Sequence, residues 1–569
     1  MRKNIYLLAA AVLFILLAGG IIFAVMLRAS LLGEGFEGVP VSTEKPLEQI
    51  APEKTPAGEM TTIQLEGNSA TVSGSGVNFY GGVLTIQEGG NYTISGTLEP
   101  GQIVVNPKGK QAVTLYLDGV KIYHPSEPAL QIKSDGRTLL ALKGDTVSRL
   151  QSGRERDISG VKEGDGSGAA IHAKSDLFIA GEGALQVLGY LHNGIQAGGR
   201  MVIESGKLDI VAAGTALKGE QSVTIEQGEF SLKAGEDGIR ADDASSKGQG
   251  SVSISGGSFI IKSGGDGIEA QTALDIRDGV FSISSGIYEQ TPPVPSGENS
   301  WDREELSIPS AKGLKSGGDI HLYDGSVAVE SPDDAIHAAG TVVLSGGSGT
   351  FAAGDDGIYA GEQLTVSSGT FRISRSYQGM KGSQIVVHGG SLSIDSVSDG
   401  IHSCGRAADG SLPSLRIEDG VLEITPGQNG LSSDGSLYIK GGNILIDGPQ
   451  DSACRAIRFS PEKGGSCKIS GGLLLAADNA GLQDISCISR SFLSQRFSSP
   501  LEAESEVVVS AENGIVLFSC TLHKPASSLL FLSPELYPWR SYQIEAGGRS
   551  LTPPLQKGTN GSWWKFWER

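Results

Sequence analysis

Cysteine is scarce in this chain. There are five in 569 residues, Cys404, Cys454, Cys467, Cys487 and Cys520, all in the last third. No C-x-x-C pair occurs, so the ligand spacing of a structural zinc site is missing. The odd number leaves at least one thiol unpaired, and burial as a small hydrophobe is the plainest role for most of them. Aromatics make up only 6%. A long amphipathic helical period is absent, and so is the G-x-S-x-G elbow of a serine hydrolase. Positive charge is short: 45 Lys and Arg stand against 64 Asp and Glu, a net charge of −19. Such a surface repels nucleic acid and leaves cations, carbohydrates and proteins as partners. What the chain has in excess is glycine, 82 residues, without the Gly-X-Y period of collagen.

The first segment is the one long apolar run. Ile5 to Leu27 is 23 residues without a charge, preceded by Arg2 and Lys3 and followed by Arg28. That is long enough to span a bilayer as a helix. It predicts a signal anchor over residues 1–30 with the remainder outside the cell, at the membrane; a cleaved signal peptide and secretion is the alternative. Residues 31–59, with Pro40, Pro46, Pro52 and Pro56, read as a flexible tether.

The remainder repeats. An apolar residue follows a Gly or Ala corner at Ile171, Ile195, Leu217, Ile239, Ile268, Leu314, Ile336, Ile358, Met380, Ile401, Leu431 and Ile457. The steps from Leu314 to Ile336 to Ile358 to Met380 are all 22 residues. Each period holds three short strand patterns, as in "GIYA", "EQLTVSSG" and "GTFRIS", with glycine at the turns. Three strands in 22 residues leave no room for a helix, so the fold predicted is all-β, a parallel β-helix whose coils bury their apolar residues on one another. The boundaries expected are N-terminal coils and a cap over 60–160, regular coils over 161–474, a C-terminal cap over 475–548 and an aromatic tail over 549–569, with "SWWKFWER" at its end.

Two columns flank the corner. Two residues before the apolar position stand Asp237, Asp266, Asp334, Asp356 and Asp399, with Asp333 and Asp355 beside them. Carboxylates on adjacent coils, one strand spacing apart, repel each other. A hard cation such as Ca²⁺ would relieve them; ordinary Asp-Gly turn chemistry accounts for the isolated ones. These seven are the candidate metal ligands. One residue after the apolar position, pointing outward, come Lys218, Arg240, Lys315, His337, Tyr359, Lys381 and His402. With Trp301, carried on a long insertion near Gly286 to Pro309, they form the candidate carbohydrate-binding face, since cations meet uronate carboxylates and rings stack on sugars.

The phrases "YTISGTLEPGQIVV", "VTLYLDGVKI", "GGDGIEA", "SAKGLKSGGDI", "SPDDAIHAAGTVVLSGG" and "SYQGMKG" resemble those of the clostridial cellulose- and acidic-sugar-binding proteins. The resemblance runs from about residue 60 to about residue 548. It implies a right-handed parallel β-helix similar to calcium-dependent pectate lyases, with calcium, polysaccharide binding and no demonstrated catalysis. The expectation is therefore a non-catalytic, cell-surface polysaccharide-binding protein, a monomer, taking cellulose-like or acidic glycans. The alternatives are a polysaccharide lyase with Lys218, Arg240, Lys315 or Lys381 as base, and a structural or adhesive rod.

Overall fold

In the computed structural model, residues 60–154, 168–245, 249–286, 311–480 and 487–559 are described. Residues 1–59, Trp301 and the final Trp-rich segment lie outside them, and with them the expected anchor, the tether and the insertion loop. No helix among the described residues is long and apolar enough to cross a membrane. Among the described residues, a short 3-10 turn at Pro461–Lys463 lies between strands.

The twelve corner residues form one ladder. Ile171 pairs with Ile195, then Leu217, Ile239, Ile268 and Leu314, each in parallel register with the next. The ladder continues through Ile336, Ile358, Met380, Ile401, Leu431 and Ile457. It also extends towards the N-terminus, through Leu130, Ile103 and Leu84. These strands make the corner sheet. A middle sheet stacks strands such as Ser222–Ile225 on Ser251–Ile254, and a third sheet stacks Glu229–Ala234 on Ser258–Ser263.

Each sheet sends alternate residues inward, as the two-residue period of a strand requires. The interior is one continuous cluster of aliphatic residues running the length of the stack. Phe230, Phe259 and Phe281 stack within it, with centroids 4.5 Å apart and rings 2° from parallel. At this spacing every coil covers its neighbour's apolar surface, and none has a core of its own.

Both ends are closed by antiparallel pairing. Met60–Gly67 turns back on Ser69–Ser73 at the start. At the far end, Leu473–Asp478 takes Ala526–Leu532 as an antiparallel partner, and Phe492–Leu501 pairs with that strand in turn. Strands Ser505–Ala511, Val516–Leu522, Tyr542–Ala546 and Arg549–Leu551 form a separate sheet over a second apolar cluster. The cap thus includes Arg549–Leu551, three residues of the segment expected as tail. Both covers remove the open strand edge that would otherwise recruit other chains.

Candidate functional site

The Asp-Gly-Ile corner is explained by close approach between coils. A Cβ on Gly379 would lie 2.3 Å from the Gly400 carbonyl oxygen and 2.3 Å from Ile394 Cγ2, so glycine is needed there. The residue before this glycine is Gln378; on the coils where that position is an aspartate, the side chain is buried. Asp237 Oδ1 accepts the Asp266 N–H at 2.8 Å, and Asp266 Oδ1 accepts the Lys312 N–H at 2.6 Å. Asp334 Oδ1 accepts the Asp356 N–H at 2.9 Å, and Asp399 Oδ1 the Asn429 N–H at 2.8 Å. Asn193 does the same for the Thr215 N–H at 2.9 Å. The column is a ladder of side-chain acceptors for backbone donors that the corner leaves without a strand partner.

The second oxygen of each acid meets the outward column. Asp237 Oδ2 lies 3.1 Å from Arg240, Asp266 Oδ2 2.8 Å from Lys315 and Asp334 Oδ2 2.6 Å from His337. Asp356 Oδ2 is 3.2 Å from Lys381, and Asp399 Oδ2 is 3.7 Å from His402. Lys218 pairs with Asp242 at 2.9 Å. Asp333 forms a buried pair with Lys312 at 2.6 Å. All seven outward residues are half-buried on one face. The bases that are candidates for meeting ligand carboxylates are therefore already engaged by the protein's own acids. His337 stacks on Tyr359 with centroids 4.7 Å apart, and Lys381 Nζ sits 5.6 Å from the Tyr359 ring centre.

Five of the seven candidate metal ligands gather in two clusters. Asp237 and Asp266 are joined by Glu269; Asp333 and Asp334 are joined by Asp355. In each cluster one oxygen per residue lies within 4.8 Å of the others. Calcium binds oxygens at about 2.3–2.6 Å, so ligands across the ion stand about 4.6–5.2 Å apart, and the spacing fits. Asp356 and Asp399 fall outside both clusters. Glu269 stands three residues after Asp266, the same offset that pairs Asp334 with His337.

Burial, then Glu269 and Asp266, push the Asp237 carboxyl up to about 7. Burial also raises Asp356 to about 7, with Lys381 opposing and Asp355 and Asp334 adding to the rise. Asp356 Oδ1 is buried without a hydrogen-bond partner, and so is Oε1 of Gln378, its register partner on the next coil. Two orphaned acceptors beside the second cluster are the local chemistry a cation satisfies.

The profile of a family described as carbohydrate-binding domain-containing protein matches residues 80–357 and 352–472, more than half of the chain. A carbohydrate-binding domain-containing protein of Acetivibrio thermocellus is 29% identical over 129 residues, 23% of this chain and 45% of that protein. The match thus spans less than half of that relative's length. A solved structure, a gadolinium derivative of a polysaccharide lyase-like protein from C. thermocellum, is 27% identical and covers 40% of this chain and 92% of that one, with a TM-score of 0.38.

Proposed function

As the chain belongs to the family of carbohydrate-binding domain-containing proteins, we propose that it is a non-catalytic, cell-surface polysaccharide-binding protein that uses the outer face of its corner sheet. The observation that carries this reading is the strip Lys315, His337, Tyr359, Lys381 and His402, in register on five consecutive coils. Four strand spacings span about 19 Å, the length of a few sugar units. The strip offers a stacked ring pair for a sugar face and half-buried cations for hydroxyl and carboxylate oxygens. Each contact is weak alone, so a polymer is held by several at once.

The acids decide which polymer. Among the described residues, the Asp ladder with Glu269 and Asp355 outnumbers the bases of the outward column, which disfavours an anionic glycan on the bare face. Calcium held by Asp237, Asp266 and Glu269, and by Asp333, Asp334 and Asp355, would add the positive charge an acidic glycan needs. The side chains around each cluster keep their structural tasks, with Oδ1 atoms capping backbone donors and Lys312 holding Asp333. The reading predicts calcium-dependent binding of acidic glycans.

The absence of turnover is part of the proposal. A lyase base must lose its proton near neutral pH. Burial works against the Lys315 ammonium, but Asp266 and Glu269 outweigh it and raise its pKa well above the usual lysine range. Lys381 is likewise raised, Asp356 overcoming the effect of burial. Both are held as cations, the opposite of what a base requires. Affinity electrophoresis through polygalacturonate and through a neutral β-glucan, with calcium or chelator, tests the reading. Retardation by polygalacturonate in calcium, weakened in Tyr359→Ala, is expected. Ultraviolet-absorbing unsaturated sugar ends released during incubation would overturn the non-catalytic part.

A further inference from the structure

The C-terminal cap presents an aromatic group that the corner-sheet reading does not use. In "SPELYPWRSY", residues 533–542, Trp539 is 76% exposed and Tyr537 39% exposed. Exposing a whole indole is costly for a side chain of its size. The sequence around it does not let it fold away.

The loop is held from beneath. Leu536 is buried in the cap. The hydroxyl of the buried Tyr542 accepts the Tyr537 N–H at 2.6 Å and donates to the Glu535 carbonyl at 3.0 Å. The Arg540 N–H closes back on the Tyr537 carbonyl at 3.2 Å. Pro538 fixes φ between the two rings. The next loop of the cap is tied on through the Glu512 N–H and the Ser541 carbonyl at 3.0 Å. Tyr537 is engaged from two groups: the Arg540 guanidinium lies 5.5 Å from its ring centre, and the Trp539 ring stacks on it at 5.2 Å and 27°. The indole is thus stacked on one ring, Tyr537, which in turn carries the Arg540 cation, and it is still left open to solvent. Its side-chain entropy is spent in folding, so little remains to be lost on binding.

We propose that this loop is a second carbohydrate-binding site, on which Trp539 takes the apolar face of a neutral β-linked pyranose. The inference rests on the family reading that the chain binds carbohydrate, and it adds a site beyond residue 472, where the family match ends. A pyranose with equatorial hydroxyls shows a flat patch of C–H groups of about the size of one indole, and burying that patch against an aromatic face removes apolar surface from water. Charge selects the neutral sugar. From Leu501 to Leu551 the cap carries Glu502, Glu504, Glu506, Glu512, Glu535 and Glu545 against Lys524, Arg540 and Arg549. Uronates and anionic bilayers are repelled by that balance. A stable protein interface needs roughly 1,000 Å² or more, far beyond one braced ring pair.

The test uses the full-length protein, Trp539→Ala and Trp539→Phe, in affinity electrophoresis through hydroxyethyl cellulose and, separately, through polygalacturonate with calcium. Because Trp539 is exposed, all three should melt together, which confirms folding. Trp539→Ala should lose about tenfold in apparent affinity for the neutral glucan. Trp539→Phe should recover part of it, and binding to polygalacturonate should not change. Equal affinity of wild type and Trp539→Ala for the glucan would overturn the inference and leave the corner-sheet reading intact. Loss of wild-type binding to polygalacturonate alone would overturn that reading and leave the cap site standing. Trp539-dependent sedimentation with phosphatidylcholine vesicles, without glucan binding, would make the loop a membrane contact and overturn the proposal.

Discussion

At the scale of single residues, the corner acids do two jobs that oppose each other. One oxygen caps a backbone donor, which favours the charged form; burial and neighbouring carboxylates disfavour it. For Asp237, which caps the Asp266 N–H, and for Asp356, whose Oδ1 caps no donor, the second effect wins, and both carboxyls rise from the usual 3.8 to about 7. A carboxyl with a raised folded pKa binds its proton more tightly when folded. Its contribution to stability is full below about pH 4, and is lost as pH climbs through about 7. In chelator, the melting temperature should therefore fall between pH 5 and pH 8, and Asp356→Asn should flatten that slope. Thermal melts across the range in the two proteins check this; a melting temperature rising over the same interval would contradict it. The pairing of Asp334 with His337 and of Asp237 with Arg240 was legible as a three-residue offset across each corner. Burial was not legible, because a two-residue alternation says which way a side chain points and not how closely the next coil covers it.

At the scale of elements, the coil is the unit, and its stability is shared. Phe259 lies in the middle of three stacked rings and is 1% exposed, while Ile260 beside it points out at 53%. Phe259→Ala should cost about 3–5 kcal/mol, and Ile260→Ala under about 0.5 kcal/mol, read from denaturant melts. Gly379→Ala should cost about 1–3 kcal/mol, because the added methyl meets a carbonyl and a buried isoleucine. Comparable losses at positions 259 and 260 would mean the alternation has been placed on the wrong faces. The regular coils were readable because the corner returns at 22-residue steps. The first ones were not: Leu84, Ile103, Leu130 and Ile171 are separated by 19, 27 and 41 residues. Strand length and turn length vary there while the ladder stays in register, and a fixed period cannot detect that. The cap was expected from loss of the repeat, but its antiparallel sheet carries no period to announce its strand order.

At the scale of the whole molecule, a face of ten or so stacked corners combines buried acids, half-buried bases and a few rings. The sequence showed both columns side by side, with the bases as candidates to meet an anionic ligand or to balance the neighbouring acids. Folding brings the columns within 2.6–3.7 Å, so the bases balance the acids first. On the proposed reading, cation binding would then be the switch for ligand charge. Asp266→Asn combined with Glu269→Gln should remove part of any calcium-induced rise in melting temperature, and Asp334→Asn combined with Asp355→Asn a further part; calorimetry with and without calcium measures both. Undiminished calcium stabilisation in the two double variants would place the ion elsewhere.

The central claim is that the corner-sheet face binds polysaccharide and that calcium sets its preference for acidic chains. The most direct measurement is the retardation of the protein in polygalacturonate gels as calcium is raised from chelator to saturation. The account predicts free migration in chelator, retardation that grows with calcium, and its loss at high salt. Migration that is unaffected by polygalacturonate at every calcium level would contradict it.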